Sequence, residues 1–195
     1  MKCFRDIADE MRRHEMILPS PRVEIRIPEA EDVLRRALAF FLEQNGHTLQ
    51  WLPEYAEVGR WLAGNEGRGL FLFGSCGRGK SMLCRYVLPA ILLGYYRRVV
   101  SVFDTAEMNS RIDYVLSRHI ISLDDIGTEE VSYQYGNKRL AFAEIMDAAE
   151  KHNKLLIIST NLSVEDIRSR YGERVLDRIR STTRRVLFEG KSLRK

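Results

Sequence analysis

The sequence predicts an α/β fold, a five-stranded, mainly parallel sheet with helices on both faces, behind an N-terminal helical extension. Two observations predict it. From residue 69 onward, short apolar runs alternate with amphipathic stretches, and strands without a polar face belong in a parallel sheet covered on both sides by helices. The first of these runs opens into a glycine-rich turn and then a helix. A chain of 195 residues, 45% hydrophobic and 30% charged, is large enough for one well-buried domain, or one domain with a short appendage.

The elements follow in order. Phe4, Ile7, Ala8 and Met11 fall at helical spacing over residues 3–16. Pro19, Pro21 and Pro28 then enforce an extended connector, because each removes an amide donor and pushes its predecessor out of the helical region. A second helix starts at Pro28, with acids in its first turn, carries Val33, Leu34, Ala37, Leu38, Phe41 and Leu42 on one stripe, and stops at Asn45-Gly46. Residues 1–48 are therefore set apart as a helical segment with a Pro-rich connector, a candidate arm for docking a partner, and residues 49–195 as the main domain. A helix over 53–63 precedes the first strand, 69–73. Further strands are expected over 98–103, 119–124, 155–159 and 185–188. The helices between them run to about residue 93, then over 105–117, 137–152 and 163–181.

Several classes are excluded. No apolar run reaches the roughly 18 residues of a membrane span. The N-terminus turns acidic at Asp6 before a signal-peptide core can form. Cys3, Cys76 and Cys84 lack metal-ligand spacing, and their odd number makes a poor disulfide framework, so a reducing, cytoplasmic setting is the expectation. The net charge of +4 is unevenly placed, since residues 166–195 hold ten Lys/Arg against four Asp/Glu. A basic tail on a neutral body reads either as a site for an anionic partner or as a solvated helix face.

Gly74-Ser75-Cys76-Gly77-Arg78-Gly79-Lys80-Ser81 fits G-x-x-x-x-G-K-[ST] directly after a strand and at the start of a helix. Glycines let successive amides point inward as an anion nest, and the helix N-terminus adds its dipole. In this pattern Lys80 reaches the β- and γ-phosphates and the Ser81 hydroxyl is a magnesium ligand, so the chain is expected to bind a nucleoside triphosphate with Mg²⁺. The 119–124 run ends in Asp124-Asp125. Such a strand lies beside the first in P-loop proteins, which assigns Asp124 to magnesium and Asp125 to the attacking water. Asp125 is a methylene shorter than Glu, so slow unassisted hydrolysis is expected. Asp124-Asp125-Ile126-Gly127 also fits the D-x-x-G of GTPases. The nearest guanine motif is Asn137-Lys138-Arg139-Leu140, where Leu replaces the required acid, so guanine specificity is not expected.

Asn161, after the fourth strand, reads equally as a ligand of water or γ-phosphate and as a turn residue before the helix start at Ser163. Arg174, Arg178 and Arg180 crowd one short helix. Either they form an exposed ion-pair face with Glu173 and Asp177, or one of them reaches a neighbouring subunit's γ-phosphate.

Together these elements resemble the AAA+ ATPases of the bacterial helicase-loader type (DnaC/DnaI-like), with the IstB-like transposition helpers as close relatives. The resemblance covers about residues 50–195 and rests on Gly79-Lys80-Ser81, Leu123-Asp124-Asp125-Ile126-Gly127, Ser159-Thr160-Asn161-Leu162 and Gly172-Glu173-Arg174 followed by Asp177-Arg178. It implies a P-loop AAA+ core without a full helical lid, with Asn161 as the sensor-1 residue, Arg178 as the arginine finger and Arg194 as the sensor-2 arginine. It further implies an ATP- and Mg²⁺-dependent ATPase that assembles with copies of itself and loads or remodels a replicative hexameric helicase during DNA replication. Single-stranded DNA would meet its basic C-terminal region. The alternatives keep the fold and change the work, to a transposition or phage DNA helper, or change the class, to a small-molecule kinase. The Arg-rich lid that kinases place over the phosphates is not evident before the C-terminal arginines.

Overall fold

The computed structural model describes residues 3–128, 132–134 and 137–193. Its strands, in chain order, are β1 (Gly69–Gly74), β2 (Ser101–Asp104), β3 (Ile120–Ile126), β4 (Ser132–Gln134), β5 (Asn137–Arg139), β6 (Leu155–Thr160) and β7 (Thr183–Phe188). The first helices are α1 (Phe4–Arg13), α2 (Ala30–Glu43) and α3 (Pro53–Ala63). After β1 come α4 (Lys80–Met82), a π-helical turn over Leu83–Val87 and α5 (Leu88–Tyr96). The remaining helices are α6 (Thr105–Ser110), α7 (Ile112–Ser117), α8 (Ala141–His152), α9 (Val164–Tyr171) and α10 (Glu173–Thr182).

The main sheet has the order β2-β3-β6-β1-β7, and every pairing in it is parallel. Alternate residues of each strand point to opposite faces, which divides the core in two. Leu70, Leu72, Ile157, Val186 and Phe188 pack on one side with α2, α3 and the helix after β1. Phe71, Ile121, Leu123, Leu156 and Ile158 pack on the other with α7, α8 and α10. Parallel strands need crossovers, and the helices that make them cover both faces, so each strand is apolar throughout.

Several elements differ from the sequence expectation. The helix expected over 105–117 breaks at Arg111 into α6 and α7. α8 begins at Ala141, and residues expected in its first turn form the antiparallel hairpin β4–β5 instead. β2 begins at Ser101. The π turn precedes Pro89, whose ring in a regular helix would collide with the carbonyl of Arg85, and widening the turn accommodates it.

Packing continues across residue 48. Val23, Ile25, Ile27, Val33, Leu34 and Leu38 are buried in the same cluster as Leu70 and Leu72. Asn65 ties the connector down, accepting from the Ile25 amide at 2.8 Å and donating to the Val23 carbonyl at 2.9 Å. α1, by contrast, contributes no buried residue. Among the described residues no helix is long and apolar enough to cross a membrane.

Candidate functional site

In a wholly parallel sheet all strands end on the same edge. β6 lies between β3 and β1 in that sheet, so the segments following these three strands converge there. The loop after β1 is shaped by its glycines. Gly77 and Gly79 have φ of 73° and 88°, a region that L side chains enter at a cost. A Cβ on Gly79 would also collide with the Tyr55 hydroxyl. Lys80 is buried at the base of the loop and donates to the carbonyls of Gly74 (2.8 Å) and Ser75 (2.7 Å). Burial lowers its pKa, opposed in turn by Cys76, Asp125, Cys84 and Asp124. Helical backbone runs onward from Lys80 through α4, the π turn and α5, so its amide end faces the loop.

At the end of β3, Asp124 is buried, with 5% of its surface exposed. Its Oδ1 accepts from Ser159 Oγ on β6, and its Oδ2 lies 3.4 Å from the Arg85 guanidinium on the π turn. Desolvation works against the Arg85 charge, but the Asp124 bond and field outweigh it and raise the Arg85 pKa. Asp125 takes φ +60°, the left-handed region, where its amide donates to Ser159 Oγ at 2.9 Å. Asn161 Nδ2 donates to Asp125 Oδ1 at 2.6 Å. Ser159 thus braces both acids, while Asn161 holds the outer one. The two candidates for water chemistry, from different strands, are in direct contact.

Arg78 does not turn its side chain toward an anion in the loop. It is 8% exposed, its Nη2 pairs with Glu54 of α3 at 2.6 Å, and its Nη1 donates to the Lys191 carbonyl at 3.1 Å. Its backbone amide is what it can offer an anion. The Tyr55 hydroxyl donates to the Arg78 carbonyl at 3.1 Å; burial first, then Glu54, raises the Tyr55 pKa to about 12. Leu193 closes on the same loop, its amide donating to Gly77 O at 2.9 Å. Arg194 lies just outside the described residues.

Arg178 pairs elsewhere. It lies on α10, 12% exposed, with Nη1 2.7 Å from Asp147 and Nε 2.9 Å from Glu150, both on α8. Its acids therefore come from α8 rather than from Glu173 or Asp177. Arg174 reaches Asp147 at 3.5 Å and Arg180 reaches Glu173 at 3.4 Å. Sequence reasoning missed Glu54, Tyr55 and Arg85, and it named Ser159 within a motif without giving it a role.

Solved structures supply the comparison. The DnaC helicase loader superposes with a TM-score of 0.54 at 21% identity, covering 84% of this chain and 93% of its own. DnaI gives 0.58 at 20% identity, covering 86% and 94%. The likeness is one of fold, a five-stranded parallel sheet between two layers of helices. AMPPCP-bound DnaA from Aquifex aeolicus shares it with a TM-score of 0.52 at 15% identity, over 72% of this chain and 48% of that one. No protein-family model matches the sequence, and no curated protein matches it. The parallel order of the sheet explains why the loop, the two acids and Asn161 share one edge.

Proposed function

We infer that the chain is an ATP-binding and ATP-hydrolysing AAA+ assembly factor that loads or remodels a replicative DNA helicase. The observation that carries the nucleotide part is the convergence of the Lys80 loop, Asp124-Asp125 and Asn161 on adjacent strand ends. In this reading the amides of Gly74, Ser75, Cys76, Gly77, Arg78 and Gly79 cradle the phosphates, and Lys80 leaves its loop carbonyls for them. Ser81 and Asp124 would hold Mg²⁺, which supplies charge neutralisation on the phosphates. An all-oxygen pair suits that ion, and among the described residues no cluster of three His, Cys, Asp or Glu offers a metal cage. Asp125 orients the attacking water, and Asn161 positions Asp125. Arg178 acts across a subunit boundary only after leaving Asp147 and Glu150, which makes assembly the step that frees it. Arg194 keeps the sensor-2 role that the family resemblance gives it.

The helicase part rests on the likeness in fold to DnaC and DnaI, which cover most of their own length here. The test is capture from host lysate with ATP and magnesium, wild type beside Lys80→Ala, with bound proteins identified by mass spectrometry. A replicative helicase retained only by wild type is the expected result. A transposase in its place would move the chain to the transposition helpers, and equal nucleotide binding by both proteins would refute the phosphate-loop assignment.

A further inference from the structure

The helical segment after the phosphate loop is tied to the strand that carries Asp124 by a bond a regular helix would not need. In the π turn the Leu88 amide donates to the Leu83 carbonyl, and Pro89 has no amide to donate. Neither the fourth nor the fifth residue along therefore serves the Cys84 carbonyl. Ser122 Oγ, fully buried on β3, donates to it at 2.8 Å. A buried carbonyl without a donor is costly, so this bond fixes the π turn against β3.

The same face of β3 carries Asp124. Ile121 and Leu123 pack in the cluster with α7, α8 and α10, which turns Ser122 and Asp124 toward the helix after β1. Arg85 follows Cys84 in the π turn, and its Nη1 lies 3.4 Å from Asp124 Oδ2. Asp124 Oδ1 is taken up by Ser159 Oγ. Oδ2 is thus the oxygen left for a cation, and a guanidinium occupies it. The Asp124 side chain is 6% exposed and that of Arg85 39%, so the arginine can swing outward to water while the acid stays buried. Asp104, in register with Asp124 on β2, adds its negative field at the same guanidinium.

We propose that Arg85 is a positioning residue of the nucleotide site, a built-in counter-cation that holds Asp124 Oδ2 for incoming phosphates and yields it to the metal ion. This rests on the nucleotide reading above. A triphosphate entering the loop meets the carboxylates of Asp124 and Asp125, and like charges in a partly desolvated site repel strongly unless a cation lies between them. Arg85 supplies that cation from the protein itself. A guanidinium and a divalent ion on one carboxylate oxygen also repel each other, so the two take Oδ2 in turn. The 3.4 Å contact is longer than the roughly 2.7–2.9 Å of a strong charge-assisted bond, which suits a partner that is to be released.

The test is equilibrium binding of a fluorescent, non-hydrolysable ATP analogue to the full chain, in excess EDTA and in excess Mg²⁺, with wild type beside Arg85→Met, Arg85→Lys and Lys80→Ala. Methionine keeps much of the apolar stem and removes the charge. In EDTA the Kd of Arg85→Met should rise about fivefold, the scale of an ion pair with one exposed partner, while Arg85→Lys stays within about twofold of wild type. In Mg²⁺ Arg85→Met should bind as tightly as wild type or more tightly, because the ion no longer displaces a cation. A purely structural arginine would weaken binding alike in both media, and that result would overturn the proposal. So would unchanged binding by Arg85→Met in EDTA, or a wild type that binds the analogue only with Mg²⁺. Lys80→Ala should lose the analogue in both media. A wild type that binds it in neither would refute the nucleotide reading itself, and the role of Arg85 with it.

Discussion

The pairing of Glu54 with Arg78 yields the sharpest stability prediction. Glu54→Ala removes the carboxylate that, among the described residues, pairs with a guanidinium whose side chain is 10% exposed, and leaves it the Lys191 carbonyl at 3.1 Å. The Glu189 amide loses its acceptor in the same change. Breaking a buried ion pair by deleting one partner costs about 3–5 kcal/mol, because the remaining charge stays desolvated. The retained carbonyl contact puts the expectation at the lower end, about 3 kcal/mol. For a chain of this size that is a fall of about 6–12 °C in Tm. Urea denaturation followed by circular dichroism measures the first, and a thermal scan the second. Because Arg78 is part of the phosphate loop, the Kd for ATP should rise in the same variant. Replacing both partners, Glu54→Leu with Arg78→Met, should recover most of the stability, since an apolar pair of similar volume carries no desolvated charge. A loss under about 1 kcal/mol for the single variant, the range of an exposed pair, would refute the reasoning. So would a double variant no more stable than the single one.

Asp125→Asn keeps a residue tolerant of the left-handed backbone, so stability should stay within about 0.5 kcal/mol of wild type while ATP turnover falls about 10²-fold or more, measured by phosphate release. Tyr55, with its pKa raised to about 12 in the folded chain against about 10 unfolded, contributes stability that is fully present below pH 10 and is lost as pH rises toward 12. Urea titrations at pH 9 to 12 should show a shallower alkaline decline for Tyr55→Phe, which also loses about 1 kcal/mol at neutral pH with its bond to Arg78. Arg178→Ala should cost about 1 kcal/mol, since its acids are half exposed, and should keep ATP binding while turnover falls at least 10³-fold. Mixing it with Lys80→Ala subunits should restore part of that turnover, and no restoration would count against a shared site.

The phosphate loop was legible because its eight residues are contiguous and their order is itself the chemistry. The strands were legible because burial on both faces leaves no room for polar residues within them. What failed was of other kinds. Lys138 and Arg139 are good helix formers by intrinsic preference, and nothing local announced that residues 137–139 pair as a strand with 132–134. Arg78 lies 24 residues from Glu54, and Arg178 lies 28 from Glu150, so neither partner can be read at helical or strand spacing. The left-handed turn at Asp125 follows from the register shift between Leu123 and Ile126 against β6, a property of the sheet rather than of the segment. Asn161 had two readings of equal standing in the sequence, and its contact with Asp125 is a pairing only the neighbouring strand ends could supply.

The contact of Leu193 with Gly77 makes the segment 191–193 an instrument. A small fluorophore carried at residue 191, whose carbonyl already meets Arg78, would sit beside the loop without occupying it. Its emission would follow the loop's rearrangement on nucleotide arrival in real time, with no labelled nucleotide needed. The same proximity argues against bulky substitutions at residues 191–193, which lie against the loop, whereas the face of α1 buries nothing and tolerates them.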